Sequence, residues 1–181
     1  MTRRRYLTVT ALAAMGVAVA SAIETPTKLI WNATASAPVG FYTVEPADRI
    51  EVPELVAIMP PEPLAAFMVA RGYVGRGVPL LKRVVGLPGQ RVCRAGRTIT
   101  VDGIEMGEAL ESDRIGRELP AWQGCRVIAP GEIFLMNWDV RDSLDGRYFG
   151  PIPASSVIGR AVPLWTDEEG VGRYEWRAPT H

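Results

Sequence analysis

The chain has 181 residues, equal numbers of acidic and basic side chains, and 48% hydrophobic content. That suffices for one sizeable core, and a net charge of zero removes the electrostatic case for binding nucleic acid. Eighteen glycines and fifteen prolines point to short strands and turns rather than to a helical bundle.

The N-terminus carries Arg3, Arg4 and Arg5 ahead of an uncharged run from Tyr6 to Ile23, closed by Glu24. A basic flank before an apolar stretch of about the minimum spanning length keeps the arginines in the cytoplasm and exports the remainder of the chain. Residues 1–23 therefore read as a signal or membrane anchor and 24–181 as an exported domain. Ala20-Ser21-Ala22 resembles a small-residue cleavage site, so both removal and retention of the run stay open.

Glu24 to Ala33 reads as a connector, followed by the small, turn-forming Thr34-Ala35-Ser36-Ala37-Pro38 and a strand from Phe41 to Val44. A second strand is expected over Leu55–Met59, and a helix over Pro63–Arg71. Pro63 suits the first helical position, Leu64, Phe67 and Met68 share a face, and Gly72 suits the C-terminal cap. Beyond Val78 the pattern is β: strands over Leu80–Val85 and Arg91–Cys93, then a hairpin over Thr98–Met106 on an Asp102-Gly103 turn. Gly107–Gln123 reads as a surface excursion. Cys125–Ile128, Glu132–Met136 and Val157–Trp165 complete the strands, with a last hairpin running through Glu168–Gly170 to Trp176. The expected fold is mostly β, a coiled or barrel-like sheet with one short helix, preceded by an N-terminal apolar helix.

Cys93 and Cys125 match no metal-ligand spacing. In an oxidising compartment a single bridge closing about thirty residues is expected, the alternative being two unpaired buried thiols. No metal or cofactor is called for.

The chemistry starts from what is scarce. Only two lysines, Lys28 and Lys82, stand against eighteen arginines, and the single histidine, His181, is the last residue. Arginine does not deprotonate in a protein, whereas burial lowers the pKa of a lysine. Lys82 lies among Leu80, Leu81, Val84 and Val85, so it is the best candidate for a general base. The alternative is a strand lysine facing solvent beside Arg83. Ser36, between the small Ala35 and Ala37, is the candidate nucleophile; taken alone it reads more readily as a turn serine before Pro38. Between Met136 and Pro153 a third segment holds Ser143, Asp145 and Arg147. The last two are spaced to face one way and pair, and Ser143 is placed to orient the lysine amine.

Taken in order, Ser36, Lys82 with Val84–Gly89, and Ser143-Leu144-Asp145-Gly146-Arg147-Tyr148-Phe149-Gly150-Pro151 resemble the boxes of the type I signal peptidase family. The short chain and the form Ser36-Ala37-Pro38-Val39-Gly40-Phe41-Tyr42 look most like its conjugative-transfer branch, the TraF-type pilin-maturation peptidases. The resemblance covers most of residues 30–165. It implies a serine–lysine peptidase with a coiled β-sheet fold at the periplasmic face of the bacterial inner membrane, acting on a pilin-type preprotein alongside components of the conjugation apparatus. By the same resemblance, Ser36 is the nucleophile and Lys82 the base. Ser143 supports the base, Asp145 and Arg147 form a structural pair beneath it, and Thr34 helps build the oxyanion hole. Two departures stand out: Ala37 where housekeeping members carry methionine, and Asn137-Trp138-Asp139-Val140 where they carry Gly-Asp-Asn-Arg. Three other readings remain: a general type I signal peptidase, a non-catalytic periplasmic assembly factor, and a self-cleaving protein of the LexA type. The second should have lost Ser36, Lys82 or Ser143, and the third is opposed by the exported topology.

Overall fold

A computed structural model of the chain describes residues 3–22 and 28–179, so Ile23, Glu24 and His181 lie outside the described residues. The N-terminal helix α1 (Arg3–Ala22) takes the arginine cluster into its first turn. Among the described residues, no helix is long and apolar enough to cross a membrane.

The strands are β1 (Leu29–Asn32), β2 (Val39–Glu45), β3 (Leu55–Ile58), β4 (Leu80–Gly86), β5 (Arg91–Ala95), β6 (Thr98–Val101), β7 (Ile104–Glu108), β8 (Gly124–Val127), β9 (Glu132–Leu135), β10 (Ile152–Pro153), β11 (Val157–Asp167) and β12 (Glu175–Trp176). Helix α2 (Glu62–Ala70) lies between β3 and β4, and a single turn, α3 (Gly146–Phe149), precedes β10. The main sheet runs β1-β2-β11-β3-β4-β9-β10, with β12 on β11, and a second sheet runs β7-β6-β5-β8. The architecture is mostly β, as expected, but the main sheet is open and does not close into a barrel.

Strand β4 sits where three apolar clusters meet. Leu81 packs with Tyr42, Leu55 and Ala57. Val85 packs with Ile99, Ile128 and Phe134, and Val84 packs with Val56, Ile133 and Leu135. Along β4 only Leu80 and Arg83 stay partly exposed, and Lys82 is buried.

Several expectations need correction. The connector before Thr34 contains β1, an edge strand paired with β2 from Leu29↔Thr43 to Asn32↔Gly40. The turn carrying Ser36 is thus a hairpin loop rather than a free approach to the first strand. Helix α2 is capped by Arg71 and buries Met68 against the cleft, so its apolar face is core. It is joined by α3, so the described residues of this part hold two α-helices instead of one. Gly146 opens α3 because that turn lies against β9: a Cβ there would stand 2.5 Å from the Phe134 ring and 2.6 Å from the Leu135 carbonyl oxygen. The excursion starts only after Glu108. Asp113 ties it down by accepting from Tyr73 Oη at 2.6 Å and Arg117 Nε at 2.7 Å. The Tyr73 hydrogen bond, helped by those from Arg117 and Ile115, holds the Asp113 carboxyl well below the usual carboxylate range.

Cys93 and Cys125 face each other across the antiparallel pair β5–β8 and are bridged, with Cα atoms 4.0 Å apart. The bridge spans a sequence separation of 32 residues in the smaller sheet. Replacing both cysteines with alanine should lower stability by about 3 kcal/mol through the freed loop of the unfolded chain, while leaving Ser36 acylation unchanged. Urea unfolding of the oxidised protein and of the variant measures this. An unchanged midpoint would show that the bridge contributes nothing.

Candidate active site

Ser36 lies half-buried in the β1–β2 hairpin loop, which is shaped from within by one side chain. The buried Asn32 carboxamide donates to the carbonyls of Thr34 (2.8 Å), Ala37 (3.0 Å) and Pro38 (3.1 Å). Its Oδ1 accepts from the Thr34 backbone N–H (3.2 Å) and the Thr34 hydroxyl (2.9 Å). Thr34 Oγ1 also lies 3.0 Å from Ser36 Oγ. A hydroxyl has one proton, and Asn32 Oδ1 can only accept, so Thr34 gives its proton to Asn32 and receives that of Ser36. The Ser36 hydroxyl thus heads a chain that runs through Thr34 to Asn32.

Lys82 is only 4% exposed, and its Nζ donates to Ser143 Oγ at 2.7 Å. Desolvation lowers its pKa from 10.5 to about 8; the nearby Asp145 carboxylate opposes this, and the Arg147 guanidinium adds to it. Burial makes a neutral amine accessible close to neutral pH, as a general base requires. Ser36, Thr34, Lys82 and Ser143 line one cavity of about 450 Å³ together with Ile30, Met68 and Leu81. Among the described residues no hydrogen bond joins Ser36 Oγ to Lys82 Nζ. The hydroxyl is held by Thr34, and the amine by Ser143.

Beneath them Asp145 caps α3 and pairs with Arg147. Arg147 Nε lies 2.9 Å from Asp145 Oδ1, and Nη2 lies 2.8 Å from Oδ2. The guanidinium also donates to the carbonyls of Asn137, Val140, Arg141 and Ser143. One buried cation thereby folds the whole 137–147 loop around itself and sets Ser143 against Lys82. Asp142 turns outward to Arg114, and Asp139 is exposed, so neither touches Lys82 or Ser143.

Sequence reasoning did not single out two buried carboxamides, Asn32 and Asn137. Asparagines do not titrate and have no diagnostic spacing. The available signal was their position, Asn32 four residues before Ser36 and Asn137 at the first departure from the Gly-Asp-Asn-Arg pattern.

The family model described as signal peptidase, peptidase S26, matches residues 2–165. A conjugal transfer protein TraF of Agrobacterium fabrum is 39% identical over 146 residues, covering 75% of this chain and 81% of that protein. A plasmid transfer protein TraF of Escherichia coli is 33% identical over 147 residues, covering 74% and 82%. A signal peptidase I of Leptolyngbya laminosa is 35% identical over a shorter stretch of 83 residues, 45% of this chain and 38% of that one. Among solved structures, a signal peptidase I from Enterococcus faecalis matches 62% of this chain and 98% of its own at 22% identity, with a TM-score of 0.37. The chain belongs to the S26 signal peptidase family.

Proposed function

We propose that the chain is a serine endopeptidase of the serine–lysine type that matures an exported pilin-type precursor for conjugative transfer. The observation that carries this reading is Lys82: a buried lysine bonded to Ser143, with its pKa brought to about 8, in the same cleft as Ser36. The relatives named as conjugal and plasmid transfer proteins support the conjugative setting over general preprotein processing.

In the mechanism, neutral Lys82 takes the Ser36 proton as the oxygen attacks the carbonyl of a small residue. The resulting ammonium protonates the leaving amine, and an acyl-enzyme remains on Ser36. The Ser36 hydroxyl leaves Thr34 for Lys82, and the Thr34 proton turns from Asn32 to the developing oxyanion beside the Ser36 N–H. Water then releases a linear product; attack by the precursor's own N-terminal amine releases a cyclic one. Residues 1–23 target or anchor the protein so that the 24–181 domain works at the periplasmic face of the inner membrane, beside other components of the transfer apparatus.

The test is maturation of a coexpressed pilin precursor, read by intact mass. Ser36→Ala, Lys82→Ala and Lys82→Arg should each cut processing by about 10³-fold or more while remaining folded and exported. A product lighter by one water than the linear form indicates ring closure. Normal processing by Lys82→Arg rules out lysine as the base, because arginine keeps its proton.

A further inference from the structure

We infer that Asn137 is a positioning residue that holds the Ser36 hairpin loop in register with the Lys82 strand. This rests on the serine–lysine reading above and adds the device that brings its two halves together.

Asn137 is 5% exposed and lies just past the end of β9, where the β4–β9 ladder has run out. Its side chain continues that ladder. Oδ1 accepts the Arg83 backbone N–H at 3.0 Å, and Nδ2 donates to the Leu81 carbonyl at 3.1 Å, so the carboxamide grips the main chain on both sides of Lys82. The remaining Nδ2 proton goes to the Ser36 carbonyl, 101 residues away in sequence. Its own backbone is held in turn: the N–H donates to Asp145 Oδ2 at 3.0 Å, and the carbonyl accepts from Arg147 Nη2 at 3.1 Å.

One residue therefore joins the nucleophile's loop, the base's strand and the buried ion pair. Asn32 shapes the loop but bonds only within it. Among the described residues no other hydrogen bond ties residues 33–37 to β4 or to the segment after β9. Without Asn137 the loop hangs from β1 and β2 alone, and Ser36, whose backbone position sets both Oγ and its N–H, is free to shift relative to Lys82. A displacement of about 1 Å is enough to cost about 100-fold in rate. The geometry needs two donors and one acceptor at the tip of a short side chain, which only a primary amide provides. Asp lacks the donors, and Ser is too short to reach all three partners.

The test uses the full-length chain with p-nitrophenyl acetate as acylating probe, following the burst and locating the acyl group by peptide mass. Asn137→Ala, Asn137→Ser and Asn137→Asp are compared by the limiting acylation rate of the folded fraction, the saturation constant and the pH profile, with thermal unfolding alongside. Asn137→Ala and Asn137→Ser should acylate Ser36 about 100-fold more slowly at an unchanged saturation constant. Their alkaline midpoint should stay at the wild-type value, since no charge is lost and Lys82 remains desolvated. Asn137→Asp should lose rate equally and move the midpoint upward, because a carboxylate beside Lys82 favours the ammonium. A residue that only stabilises the fold lowers the unfolding temperature and leaves the rate of the folded fraction alone.

Ser36→Ala and Lys82→Ala separate the two readings. If both lose acylation while the folded Asn137 variants stay within about threefold of wild type, the positioning role is overturned and the dyad stands. If Ser36→Ala is acylated like wild type, the dyad falls and the positioning role falls with it.

Discussion

Lys82→Met should make the protein inactive and, at pH 7, more stable. The folded pKa of Lys82 is about 8, against 10.5 for the exposed side chain. Below about 8 the lysine is charged in both states, and the full cost of burying the ammonium weighs on the fold. Between about 8 and 10.5 the folded protein has released the proton while the unfolded chain keeps it, so stability rises with pH; above 10.5 it levels off. A shift of this size corresponds to about 3 kcal/mol. Methionine fills a similar volume without charge but forfeits the bond to Ser143, worth about 1 kcal/mol. The variant should therefore gain about 2 kcal/mol at pH 7 and lose that advantage by pH 10.5. Urea midpoints for both proteins at the two pH values decide this. A variant less stable than wild type at pH 7 would show that Lys82 is not desolvated in the folded protein. With Lys82 as the proposed base, wild-type activity should climb with pH through about 8 as the amine becomes neutral.

Such a trade of stability for function explains which features the sequence revealed. Lys82 was legible because a lysine within an apolar strand breaks the local pattern. Alternation alone left open whether Lys82 or Arg83 faced solvent; the answer came from the segment from Ser143 through α3, which lies far along the chain and packs over Lys82. Strand β1 was missed because it has four residues and turns the polar Asn32 inward, where a half-buried strand normally shows an apolar side chain. α3 was missed because a single turn capped by Asp145 has no periodicity to read. The pairing of Asp145 with Arg147 followed from spacing. The fan of carbonyls around Arg147 did not, because backbone acceptors leave no mark on composition. The asparagines were invisible for the same reason: their partners are backbone groups from three separate segments.

Arg147→Met should be the most destabilising single change near the site. Arg147 is 1% exposed at the side chain and Asp145 is fully enclosed. Removing the guanidinium strands a buried carboxylate and takes a donor from four carbonyls at once, of which those of Asn137 and Val140 keep a backbone N–H. Breaking a buried pair from one side costs about 3–5 kcal/mol, a large part of the roughly 5–15 kcal/mol that holds a domain together. Asp145 raises the Lys82 pKa and Arg147 lowers it, so the single variant should also carry the alkaline midpoint of activity upward. Replacing both members, as Asp145→Asn with Arg147→Met, removes the stranded charge and should recover much of the lost stability. In the double variant the midpoint should instead fall below that of wild type, since Asp145 is the stronger of the two influences on Lys82. Unfolding midpoints and acylation pH profiles of the single and double variants test both parts. If the two variants shift the profile in the same direction, the ion pair does not act on Lys82 through its charges, and its role is confined to folding the loop that carries Ser143.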